Sequence, residues 1–240
     1  MAGYLGMVSV HHNKRSRWTV VWMFFSFLSQ CMVLAGRGEL RGQCPLGDFG
    51  EILVFLAWSM TMFYLVIGST YRLSLLGVFS APLVSLMLFI AAIPGVMEAN
   101  PEKAMKIDPW DEAHAALSVL GYGALGLAAI ASVMFMVLNK QLKAHHTKSG
   151  LFKKLPPVHS IVVSVVRLTG VGTMVLSAGI FCGLMMKSGG GGAHLWVAIG
   201  VWLSYAALLA VWIIRGMTPS KLALSSVSLF VISLLVFAAL

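Results

Sequence analysis

Seven histidines hold most of the reactive chemistry available to this chain of 240 residues. Histidine changes charge near neutral pH, and its neutral imidazole is a common metal ligand. His11 and His12 lie in an N-terminal arm, while His145, His146 and His159 lie in a lysine-rich stretch. A histidine pair there can bind a metal, but a solvated surface pair is the plainer reading. His114 and His194 differ from these five. His114 follows an acid-rich stretch and opens a long apolar run. His194 follows the glycine run 189–192 and opens another.

Two imidazoles at one membrane level can ligate one metal. Haem iron is the plausible case, because haem is a flat apolar disc carrying two carboxylates. Trp110 lies four residues before His114, and Trp196 two after His194, so either could wall such a disc. Arg37, Arg41, Lys103, Lys106 and Lys187 are the cations at hand for its propionates. Asp111, three residues before His114, is placed to orient the imidazole by a hydrogen bond. Spacing alone does not separate haem from another metal, and each histidine also reads as an interfacial residue.

No Ser-His-Asp set, HExxH motif or pair of intramembrane carboxylates is present. Cys31, Cys44 and Cys182 form no CxxC and read as buried thiols. The glycine run lacks a GK[ST] ending and reads as a hinge-like loop.

The elements that must position these residues follow from composition. The chain is 59% hydrophobic and 10% charged, with a mean hydropathy of +0.89. A soluble domain carries about 25% charged residues. An ordinary soluble fold, a disordered tail and a disulfide-rich module are therefore excluded. An outer-membrane barrel would need regular polar alternation. A polytopic all-α transmembrane bundle remains.

Charge-free stretches place about seven spans, at residues 18–36, 52–71, 73–97, 113–139, 168–186, 188–214 and 222–240. A very short turn near Arg72 joins the second to the third. Pro82 and Pro94 are expected to kink or end the third. Arg167, about one third into its stretch on the cytoplasmic side, is expected to snorkel to the inner interface. Ala124, Ala128 and Ser132, and Gly179 with Gly183, read as small-residue packing rows. Residues 1–17 form a short arm, and 18–240 form a single transmembrane domain.

Loop charge sets the orientation. With the N-terminus cytoplasmic, the inner segments carry twelve basic residues and no acid, and the outer segments carry five basic residues and all eight acids. The C-terminus is then outside. The net charge of +9 thus reflects membrane topology, and nucleic acid is not an expected partner.

Several stretches, taken in order, resemble the cytochrome c assembly family of membrane haem handlers, the group containing CcsA, CcmC and HemX-like proteins. They are RGQCPLG at 41–47, YRLSLLGVFSAP at 71–82, HAALSVLGY at 114–122, LPP at 155–157, and the run from Gly170 to His194 and its helix. The resemblance implies non-covalent b-type haem in transit, held by His114 and His194 at the outer face. It also implies other assembly subunits and apocytochrome c as partners, a bacterial-type inner membrane as location, and handling rather than enzymatic chemistry. The tryptophan-rich WWD-type loop of the haem-transferring members is absent, which points to the HemX-like branch. A helix that often precedes Trp18 is missing or shortened, and Gln30 stands where some relatives carry a histidine.

Two other functions fit less well. One is a HemX-like regulator of tetrapyrrole biosynthesis, acting through the basic loop 140–160. The other is a small-solute permease, against which the nearly charge-free midplanes count.

Overall fold

The computed structural model describes residues 17–68, 74–97, 108–143, 158–186 and 193–238. The N-terminal arm with His11 and His12, most of the basic loop with His145 and His146, and the glycine run lie outside these residues. So do Lys103, Lys106 and Lys187.

Among the described residues all regular structure is helical. The helices are α1 (Arg17–Arg41), α2 (Phe49–Phe63, continued by a π-helical turn at Tyr64–Gly68), α3 (Ser74–Ala91), α4 (Pro109–Lys143), α5 (Val158–Leu184), α6 (Ala193–Arg215) and α7 (Pro219–Ala238). Six are long and apolar enough to cross a membrane, and the apolar part of α3, Leu76–Ala91, is shorter. The protein is a multi-pass helical membrane bundle.

The helix ends show where charge-free runs misjudge boundaries. Helix α5 starts ten residues earlier than its apolar run and carries Arg167 in its interior. Arginine interrupts hydropathy but propagates a helix well. Helix α1 likewise continues past Gly36 and Arg37, and ends where Gly42 takes a φ of 65° and donates to the Gly38 carbonyl. Helix α3 stops at Ala91 instead of reaching 97, because Pro94 lacks an N–H and disfavours helix before it. Pro82 is accommodated within α3. Helix α7 opens with Pro219 in its first turn, where no N–H is needed.

Helix α4 is the hub. It packs most extensively on α5, and also on α7 and α2. Helices α1 and α3 flank α2, and α6 bridges α5 and α7. Ala124, Ala128 and Ser132 are fully buried, as a small-residue packing row requires. Several hydroxyls inside the bundle bond back to their own helix, as Ser132 does to the Ala128 carbonyl and Thr173 to that of Thr169. This satisfies them without water. Large side chains such as Phe25, Met32, Ile213 and Leu235 point outward, where acyl chains can cover them.

The α4–α5 seam is close because glycines line it. A Cβ on Gly172 would stand 2.8 Å from Leu125 and 3.1 Å from the Gly121 carbonyl oxygen, whereas one on Gly170 would meet nothing within 4 Å. Gly172→Ala is expected to lose about 1–3 kcal/mol through overpacking. Gly170→Ala is expected to be neutral or to gain about 0.4–1 kcal/mol. Thermal unfolding of the two variants in detergent checks this, and equal midpoints would refute the seam.

Candidate functional site

The two ends of the bundle differ in charge. One carries the C-termini of α1 and α5 and the N-termini of α2, α4 and α6. Every acid with a described side chain sits there: Glu39, Asp48, Glu51, Asp108, Asp111 and Glu112. The other end carries Lys140, Lys143, Arg215 and Lys221.

An ion cluster organises the acidic end. The Glu51 carboxylate is fully buried. Its Oε1 accepts from Arg37 Nε at 3.1 Å and from Arg41 Nε at 2.7 Å, and its Oε2 accepts from the Gly47 N–H at 3.0 Å. Arg41 also pairs with Asp48, and Arg37 Nη2 donates to the Met97 carbonyl at 2.9 Å. The Gly50 N–H reaches the Val96 carbonyl at 3.1 Å. One carboxylate thereby ties α1, α2 and the chain following α3. The backbone N–H of Cys44, in the α1–α2 loop, donates to Glu112 on α4, extending the network to the helix that carries His114. Arg37 and Arg41 are therefore committed to Glu51 and Asp48 rather than offered to propionates.

His114 occupies the second turn of α4, half-buried. Its Nδ1 lies 2.7 Å from the Gly179 carbonyl oxygen on α5. A carbonyl can only accept, so Nδ1 carries the proton, and in the neutral ring Nε2 keeps its lone pair. That is the tautomer a metal ligand needs. The group found on Nδ1 is a backbone carbonyl, which the Asp111 spacing could not reveal. Gly183 makes the room. A Cβ there would stand 2.8 Å from both His114 Nδ1 and Leu195 Cδ1. The Gly179–Gly183 row is thus a packing row and also the seat of an imidazole.

His194 stands in the first turn of α6, exposed, beside buried Leu195. Leu195 and His114 touch the same glycine, so the structure brings the start of α6 to the His114 ring. Trp110 is 40% exposed and Trp196 is 68% exposed; neither is packed into a closed wall. Among the described residues no three of His, Cys, Asp and Glu converge as a metal cluster. Gln30 is buried and donates to Ser26. The three cysteines are free, and each is only half-buried rather than fully buried.

The family model described as cytochrome C assembly protein matches residues 46–239. The chain belongs to the cytochrome c assembly protein family. Its similarity to the protein named cytochrome c biogenesis protein CcsA from Chlamydomonas reinhardtii is 27% identity, covering 91% of this chain and 64% of that one. With the CcsA of Prochlorococcus marinus it is 24%, covering 84% and 74%. With that of Nostoc punctiforme it is 30%, covering 55% and 39%. The chain thus spans less than two thirds of the length of the Chlamydomonas and Nostoc proteins, and about three quarters of the Prochlorococcus one.

These relatives of the cytochrome c assembly chain are CcsA proteins, so the expected HemX-like branch finds no support. They come from a green alga and from cyanobacteria, so a bacterial inner membrane is not singled out either.

Two variants test the ion cluster. Glu51→Gln leaves two guanidinium groups facing a neutral amide, and is expected to lose about 3–5 kcal/mol, read as a lower unfolding midpoint in detergent. An unchanged midpoint would show that the cluster does not hold this end. Cys44 lies outside the spans, and burial, then the charges of Glu112 and Glu51, push its thiol pKa up. A raised pKa means less thiolate at a given pH, hence slow alkylation at pH 8. In a Cys31→Ser/Cys182→Ser background, Glu112→Gln is expected to speed maleimide labelling of Cys44 severalfold. An unchanged rate would refute the electrostatic cause.

Proposed function

We propose that this chain takes part in c-type cytochrome biogenesis as a membrane haem-handling protein. His114 and His194 are the ligands for haem iron at the acidic end. The observation that carries the reading is the His114 Nδ1–H donated to the Gly179 carbonyl at 2.7 Å, which leaves Nε2 available to a metal. The CcsA names of the relatives support haem as the cargo. Loop charge supports the acidic end as the outer face, with the basic end toward the compartment where the chain is made.

The residues divide the work as follows. Gly179 fixes the imidazole, Gly183 gives it room, and the Glu51 cluster with Glu112 anchors the first turn of α4. His194, exposed on α6, supplies the second imidazole, and Trp110 and Trp196 cover the disc from the membrane interface. Exposure of His194 and both tryptophans suits a cargo that must leave. Non-covalent b-type haem would be received here and passed on to apocytochrome c, together with other assembly subunits. The chain handles haem, and no acid–base pair of its own is assigned to bond formation.

The test is the visible spectrum of the detergent-purified protein after haem addition, beside His114→Ala, His194→Ala and Gly183→Ala. A Soret band in the parent that weakens or shifts in both histidine variants is expected. Gly183→Ala, which moves the ring off its carbonyl, is expected to weaken haem binding by about tenfold. A parent that takes no haem, or histidine variants with unchanged spectra, would overturn the assignment.

A further inference from the structure

The basic end holds a groove that the haem reading does not use. It is open to the outside and offers about 530 Å³ between one stripe of α5 and the facing ends of α6 and α7. Val162, Val163 and Val166 of α5, with Trp212 of α6, give it an apolar wall. His159 and Arg167 are its ionisable lining residues, and both are exposed.

The spacing of these residues follows from helix geometry. Positions 159, 162, 163, 166 and 167 fall on one side of a helix with 3.6 residues per turn. Helical side chains lean toward the N-terminus, so the long Arg167 side chain reaches back toward His159 and the basic end. The wall therefore runs along the membrane depth from His159 at the polar mouth to Arg167, whose side chain reaches back along it. Trp212 stands one turn before Arg215, at the level where tryptophan borders lipid headgroups. All four other charged residues with a described side chain at this end, Lys140, Lys143, Arg215 and Lys221, are basic.

We propose that this groove is a binding site for one anionic phospholipid. Its phosphate meets Arg167 and His159, and an acyl chain lies along the valine stripe against Trp212. Charge complementarity selects the lipid. The groove sets a cation beside an apolar wall, which matches an anion joined to a hydrocarbon chain. A free phosphate matches only the cation, and a zwitterionic lipid brings its own cation against Arg167.

Native mass spectrometry of the full chain, released from detergent in the presence of phosphatidylglycerol or phosphatidylcholine with the same acyl chains, tests the site. Retained phosphatidylglycerol in excess of phosphatidylcholine is expected. Arg167→Gln is expected to lower the phosphatidylglycerol adduct by about fivefold, the worth of one cation near a membrane surface. Arg167→Lys should restore most of it, and Arg215→Gln should leave it near the parent level. Val163→Trp, which fills the groove without touching charge, should lower retention of the lipid as well. Equal retention of both lipids, equal losses in the Arg167 and Arg215 variants, or full competition by inorganic phosphate would overturn the proposal. Should Arg167→Gln fail to fold, the Val163→Trp and Arg215→Gln pair decides it, since diffuse charge attraction would ignore the first and respond to the second.

Discussion

A carboxylate buried at a membrane-protein end must be answered by charge, and Glu51 is answered twice. Arg37 and Arg41 both reach its Oε1, and the Gly47 N–H reaches its Oε2. The cost of desolvating one anion is offset only while every partner stays in place. That requirement fixes the end of α1, the α1–α2 loop and the start of α2 together. The loop then presents the Cys44 N–H to Glu112, two residues before His114. Position passes by this route from a charge cluster, through one backbone amide, to the first turn of the helix that bears the histidine.

The second half of the positioning comes from backbone proximity. Helices α4 and α5 meet along glycines, since lipid offers no hydrophobic drive and close packing must supply the attraction. At Gly172 that closeness only packs. Toward the acidic end, where Gly179 and Gly183 replace side chains, the same closeness admits an imidazole and gives it a carbonyl to bond. A feature that serves association at one level of the helix pair orients an imidazole at another. The tautomer of His114 follows from the bundle's packing.

Membership in the cytochrome c assembly family and the division of charge between the two ends fit one picture of the bundle. The acidic end contains a charge network that is largely internally paired, and this leaves the imidazoles as its distinctive outward chemistry. The basic end has no described acid to neutralise it and opens a groove lined by Arg167. Haem handling and lipid contact would then occupy opposite ends, joined by the long helices α4, α5 and α6.

Composition alone required a helical membrane bundle, because a chain with so few charges cannot solvate a soluble surface. Charge-free runs located all seven helices among the described residues, and loop charge separated the acidic from the basic segments. His114 and His194 stood out because each opens an apolar run just after a loop assigned to the outer face. What the one-dimensional pattern could not hold was contact between distant segments. The pairing of Arg37 and Arg41 with Glu51 spans a loop whose path no hydropathy profile contains. The start of α5, ten residues before its apolar run, was hidden because a charge ends an apolar run without ending a helix. The Gly179 carbonyl was invisible because backbone atoms carry no sequence signature, and its approach to His114 depends on two glycines 65 or more residues away from that histidine. Residue types set which chemistry was available at each level of the membrane. Only helix packing decided which atoms face one another there.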